Sequence, residues 1–174
     1  MNRSEYPTYA GDFQISGSGQ NNYLIRRHAD IVRHLFEFWK KLSDILYTQY
    51  FVTARPTSPI RTIVKESEDD HQYSEFFTFE GMLYFTEFIV PLKITYERAV
   101  HGRYADLPQD NLIVQLLPGT HKIYPGSQTI EPFTMQKECW NLMEHGETEQ
   151  EKMAFLNDFA HVVAQRITGN HIHR

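Results

Sequence analysis

The sequence predicts an α+β fold, with a long N-terminal helix and two C-terminal helices packed on one face of a mostly antiparallel sheet. Three observations carry that expectation. Apolar residues recur every three or four positions across 23–50, the period of a helix. Between 75 and 117 the pattern changes to alternation and short apolar runs bounded by Gly and Pro, the signature of strands. After Thr148-x-x-Glu151 the helical period returns, behind a pairing that caps helix starts.

Residues 1–21 form a polar leader with Gly11, Gly17 and Gly19 and a few large side chains, Tyr6, Tyr9, Phe13 and Ile15. This composition predicts a flexible arm that orders on a partner. A single domain is expected over 22–170, and a tail over 171–174. The first helix is expected from about Tyr23 to Tyr50, capped by Asn21 or Asn22. Leu24, His28, Ile31, Leu35, Phe38, Leu42 and Ile45 make one stripe, and Ile25, Val32, Phe36, Trp39 and Leu46 a second. The apolar face is therefore broad, as a helix laid on a sheet requires.

Pro56 and Pro59 break the helix, and Ile60–Lys65 reads as a strand. In "FIVPLKITYE", Val90, Leu92, Ile94 and Tyr96 alternate with Lys93, Thr95 and Glu97, which predicts a half-buried strand. Pro91 lacks a donor, so this strand is expected at an edge or beginning there. The preceding "EFFTFEGMLYFTEF" reads as one or two strands with a turn or bulge at Gly81. "NLIVQLLPG" reads as an interior strand. Thr134 is expected to cap a short helix carrying Cys139, Trp140 and Met143, closed by Gly146. The last helix places Met153, Leu156, Phe159, Ala160, Val163 and Ile167 on one face and ends at Thr168-Gly169-Asn170.

The chain has 174 residues, enough for one sizeable core. It has one cysteine, Cys139, which excludes an internal disulfide and a multi-cysteine zinc site. No apolar run approaches the ~18 residues of a membrane span. Nor does the start resemble a secretion signal, so a cytoplasmic or particle-assembled location is expected.

Net charge is −5, but residues 1–65 carry nine Lys/Arg against five Asp/Glu, and the rest eight against seventeen. An acidic chain is not expected to bind nucleic acid strongly. The opposed halves suit contacts between copies of the chain.

The phosphate-binding patterns G-x-x-x-x-G-K-[ST] and G-x-G-x-x-G are absent, as are G-x-S-x-G and H-E-x-x-H. No catalytic residue, metal ligand or cofactor site is assigned from sequence. "EDDH" (68–71) clusters carboxylates without the glycine-punctuated spacing of a cation loop, and His171 with His173 lies in the terminal tail. Cys139 beside Trp140 reads as a small buried hydrophobe.

Arg26 and Arg27 stand out, because a helix start disfavours cations by ~0.3–1 kcal/mol each. A long helix tolerates this, or an acidic partner offsets it. The candidates are Glu68, Asp69 and Asp70, and the Glu-rich 144–151. If that partner belongs to a second copy, the contact is heterologous and closes into a ring or runs into a filament.

The leading expectation is a non-enzymatic structural or assembly protein acting as an oligomer. By analogy of architecture alone it is compared with phage or viral head–tail and tail-end components. Its interface would draw on Arg26, Arg27, Tyr6, Tyr9, Phe13, Glu68, Asp69 and Asp70. Two alternatives stand beside it. One is a small hydrolase or transferase with a site in loops 101–131, carrying His101, Arg103, Tyr104, Asp106, His121 and Tyr124. The other is a regulatory binding module using helix 22–50.

Overall fold

A computed structural model describes residues 21–66, 73–100, 109–123, 130–139 and 148–172. Helix α1 (Asn21–Tyr50) leads into strands β1 (Thr53–Pro56), β2 (Arg61–Glu66), β3 (Tyr73–Tyr84), β4 (Phe88–Val100), β5 (Gln109–Leu116), β6 (Thr120–His121) and β7 (Phe133–Glu138). Helix α2 (Glu149–Ile172) follows. The seven strands form one antiparallel sheet in the order β1-β3-β4-β5-β7. They fill five lanes, because β2 lies end to end with β1 along β3, and β6 continues the lane of β5 along β4.

Strand alternation sorts the sheet into two faces. Phe77, Phe79, Leu83, Val90, Leu92, Ile94, Leu112 and Val114 point inward and are fully buried with Ile31, Leu35, Phe38, Trp39 and Leu42 of α1 and Leu156, Ala160 and Val163 of α2. The helices touch each other through Phe38 and Phe159, stacked at 5.6 Å. Trp39 meets Phe79 edge-on at 5.5 Å, and Arg166 lies 4.7 Å over the Phe133 ring. Such aromatic contacts add ~0.5–1.5 kcal/mol beyond burial.

Several sequence expectations need correction. There are two helices among the described residues, and Thr134 opens no helix. Residues 133–138 are instead strand β7, paired along the side of β5 away from β4, from Leu116↔Phe133 to Asn111↔Glu138. An unpaired edge on an interior strand outweighs the local capping signal. Trp140, Met143 and Gly146 lie outside the described residues. Helix α2 does not stop at Thr168-Gly169 but runs to Ile172. Thr168 stays within it by donating its hydroxyl to Ala164 O at 2.8 Å.

Strand β4 is central, not an edge. Leu117 N–H donates to Pro91 O at 2.9 Å, so the donorless nitrogen of Pro91 faces the break between β5 and β6, where no ladder bond is lost. Gly81 makes neither turn nor bulge. β3 runs straight through it, and a Cβ there would stand 2.7 Å from the Trp39 ring. The glycine lets the helix indole sit on the strand backbone. Strand β1 was not foreseen, because Pro56 and Pro59 mask it. The link after it is pinned by Thr57 N–H to Glu80 O at 2.9 Å and Glu80 N–H to the Ser58 hydroxyl at 2.8 Å.

Candidate functional site

The middle of β3, β4 and β5 presents different chemistry on its two faces. On the inner face, the register aligns Glu75 with Arg98 and Arg98 with Asp110. Each shares strand parity with apolar core residues, so the row acid–base–acid points into the interior, with exposures of 4%, 6% and 0%. Alternating signs in adjacent lanes are the arrangement that buried charges require. The Tyr96 hydroxyl donates to Asp110 Oδ2, and Cys139 N–H donates to Asp110 O at 2.8 Å. Burial first, and then the Asp110 carboxylate, push the Cys139 thiol far above its ordinary value. The thiol stays protonated and is no nucleophile.

At the contact between the helices, α1 and α2 run in the same sense. Arg33 donates two hydrogen bonds of 3.1 Å to the two Glu149 oxygens. The Asp30 carboxylate lies 3.5 Å from Arg33, and Lys152 lies 3.8 Å from Glu149. Thr148 accepts the Glu151 N–H at 3.2 Å, as the capping pattern predicts. Glu149, from the Glu-rich stretch, thus engages an arginine of the first helix within one chain, Arg33. Arg33 also holds the Glu149 carboxyl below the usual range.

His34, beside them, is 2% exposed. Its Nδ1–H donates to Asp30 O at 2.6 Å, which leaves Nε2 as the lone-pair nitrogen. Nε2 makes no hydrogen bond and lies 4.0 Å from Glu149. Burial lowers the His34 pKa, so the ring is neutral.

The outer face carries a groove of about 310 Å³ with apolar walls from Ile63 of β2, Phe76 of β3 and Ile113 of β5. Its floor and rim are polar: Thr78, Lys93, Thr95, Glu97 and Gln115. The Thr78 and Thr95 hydroxyls are 3.0 Å apart, and Thr78 also donates to Ile94 O at 3.3 Å. The groove falls at the lower end of the size range of small-ligand pockets. Ile63 is 47% exposed at its edge.

The interface residues chosen from sequence, or their side chains, lie outside the described residues. Tyr6, Tyr9, Phe13, Glu68, Asp69 and Asp70 lie outside the described residues. Arg26 and Arg27 occupy the first turns of α1, but their side chains are also outside them. Of the residues proposed for a site in 101–131, His101, Arg103, Tyr104, Asp106 and Tyr124 lie outside the described residues. His121 packs edge-on to Phe88 at 5.5 Å, beyond the Leu116 end of β5. The residues flanking 101–108, Val100 and Gln109, stand at the other end of that strand, roughly 25 Å away. The apolar face of helix 22–50 is buried in the core from Ile31 to Leu46.

Among the described residues, no three or more His, Cys, Asp or Glu side chains are grouped to hold a metal ion. No described helix is long and apolar enough to cross a membrane. Sequence reasoning missed the groove and the inner row. The parity of Arg98 with Tyr96 and Ile94, and of Glu75 with Phe77 and Phe79, was the available signal. Comparison with protein-family models, curated proteins and solved structures finds no match.

Proposed function

We propose that the chain is a non-enzymatic assembly subunit that joins other subunits, copies of itself included, through the outer face of its sheet. One observation carries this reading. The helices bury the inner face, whereas the outer face of the same strands offers a groove with three apolar walls and an exposed Ile63 at its edge. Apolar groups flanked by polar ones are the composition of contact sites. The thiol and the carboxylates of the inner row support the same reading, because they are closed off from solvent by the core and fit a structural role.

The test is mass in solution by size-exclusion light scattering over a concentration series. The wild-type chain is expected to gain mass with concentration, and Ile113→Lys to remain monomeric with an unchanged melt. A wild-type chain that stays monomeric throughout, or an Ile113→Lys variant that assembles like it, defeats the reading.

A further inference from the structure

We propose that the outer groove of one copy receives Phe51 of a second copy, so that subunits join head to tail. The inference rests on the assembly reading above and names the side chain that fills its contact face.

The conformation of Phe51 is the first support. Its backbone φ is 59°, in the left-handed region that crowds a Cβ and that glycine usually fills where a helix closes. The closure itself is complete. Phe51 N–H donates to Tyr47 O at 3.2 Å, and Val52 N–H to Leu46 O at 2.9 Å. A glycine at 51 would make the same two bonds without the strain. Nor does packing within the chain offset that strain. Phe51 is 85% exposed, the most exposed large apolar side chain among the described residues. Strain that the local fold does not need marks functional positions, and a protruding aromatic ring is a common interface anchor.

Fit is the second support. The groove holds about 310 Å³ between Ile63, Phe76 and Ile113. A cavity of ~150 Å³ with walls of this kind already takes a benzene ring. The third support is charge. Helix α1 has no basic residue in its last turn, so no side chain there complements the roughly half negative charge of its C-terminus. Lys93 stands at the groove, and seating Phe51 there brings that helix end to a cation.

The ring and the groove lie apart on one chain. Thr53, two residues after Phe51, pairs with Tyr84, and Tyr84 lies six residues, or ~20 Å, along β3 from Thr78 in the groove. Complementary features at separate places make a heterologous contact, which propagates from copy to copy.

The experiment is light scattering on the full chain over a concentration series. The wild type is expected to grow beyond a dimer. Phe51→Gly keeps the groove and loses the ring, whereas Ile113→Lys keeps the ring and loses the groove. Each alone is expected to need at least about tenfold more protein than the wild type to assemble. Mixed in equal amounts, they are expected to form a dimer and nothing larger. The ring of one enters the groove of the other, and neither free end can extend. Diluted to monomer, Phe51→Gly is expected to melt no lower than the wild type, because glycine suits the helix closure.

Phe51→Gly assembling like the wild type, while Ile113→Lys does not, overturns this inference and leaves the assembly reading standing. A wild type that stays monomeric overturns both. A wild type that stops at a dimer, or a mixture of the two variants that stays monomeric, overturns the head-to-tail seating. A lower melt for the Phe51→Gly monomer overturns the role given to the ring, by showing that it serves its own fold.

Discussion

The inner and outer faces of β3–β4–β5 are built from the same strands with opposite parity, yet they handle polar groups differently. The inner face accepts three charges, Glu75, Arg98 and Asp110, and seals them in one cross-strand row. The outer face keeps Lys93 and Glu97 at a groove rim and pairs the Thr78 and Thr95 hydroxyls on its floor. The difference shows that burial sets the stakes of a polar contact, whatever the residue type. A partner removed from the inner row strands a charge in low dielectric, whereas one removed from the outer face leaves a group that water or a ligand can satisfy.

The largest effect that tests this contrast is Arg98→Leu. It removes the cation that the register aligns between two buried carboxylates and is expected to cost ~3–5 kcal/mol by denaturant unfolding. A loss below ~1 kcal/mol, the scale of a neutral hydrogen bond, would show that the row is solvated and the contrast false. Next in size is Gly81→Ala. The added methyl meets the Trp39 ring at 2.7 Å and Arg55 O at 3.1 Å, so overpacking of ~1–3 kcal/mol is expected, with a change in tryptophan fluorescence.

His34 sharpens the comparison through pH. Its folded pKa lies below the unfolded value, so the unfolded chain binds the extra proton. Stability is therefore full above ~6.5 and falls as the pH drops through the folded value, by at most ~1.4 kcal/mol per pH unit. Glu149 has the same sign in a more acidic window, because its depressed carboxyl pKa gives stability that is lost only below ~4.3. His34→Leu is expected to flatten the pH 5–6.5 slope and leave the acid limb in place. An unchanged slope between pH 5 and 6.5 would assign the titration elsewhere. The smallest effect belongs to the outer face. Thr95→Val removes one hydroxyl pair and is expected to cost no more than ~1 kcal/mol. A cost rivalling Arg98→Leu would erase the distinction between the faces.

Legibility in the sequence followed the range of the forces involved. The α+β class, the extent of α1, the alternation of β4 and the apolar face of α2 follow from local periodicity, and the structure repeats them. The errors arose where a long-range partner overrules a local signal. Pro91 looked like an edge residue until the break between β5 and β6 was opposite it. Gly81 looked like a turn until Trp39 was upon it. Thr134 looked like a cap until β5 offered an unpaired side. The inner row was half legible, since parity alone points Glu75 and Arg98 inward. Register was needed to align them with Asp110, thirty-five residues from Glu75 in the chain. The outer groove needed three lanes to be in place at once, which no single stretch encodes.

The packing of α1 against α2 joins the first described element of the chain to the last. During synthesis, Ile31, Leu35, Phe38 and Leu42 leave the ribosome more than a hundred residues before Leu156, Phe159 and Val163, which help to cover them. The strands pair with near neighbours, but the helix layer waits for α2. Until α2 is made, the nascent chain carries an apolar ridge that is only partly covered, a natural client surface for a chaperone. A ribosome stalled before residue 156 releases a product that displays that ridge permanently.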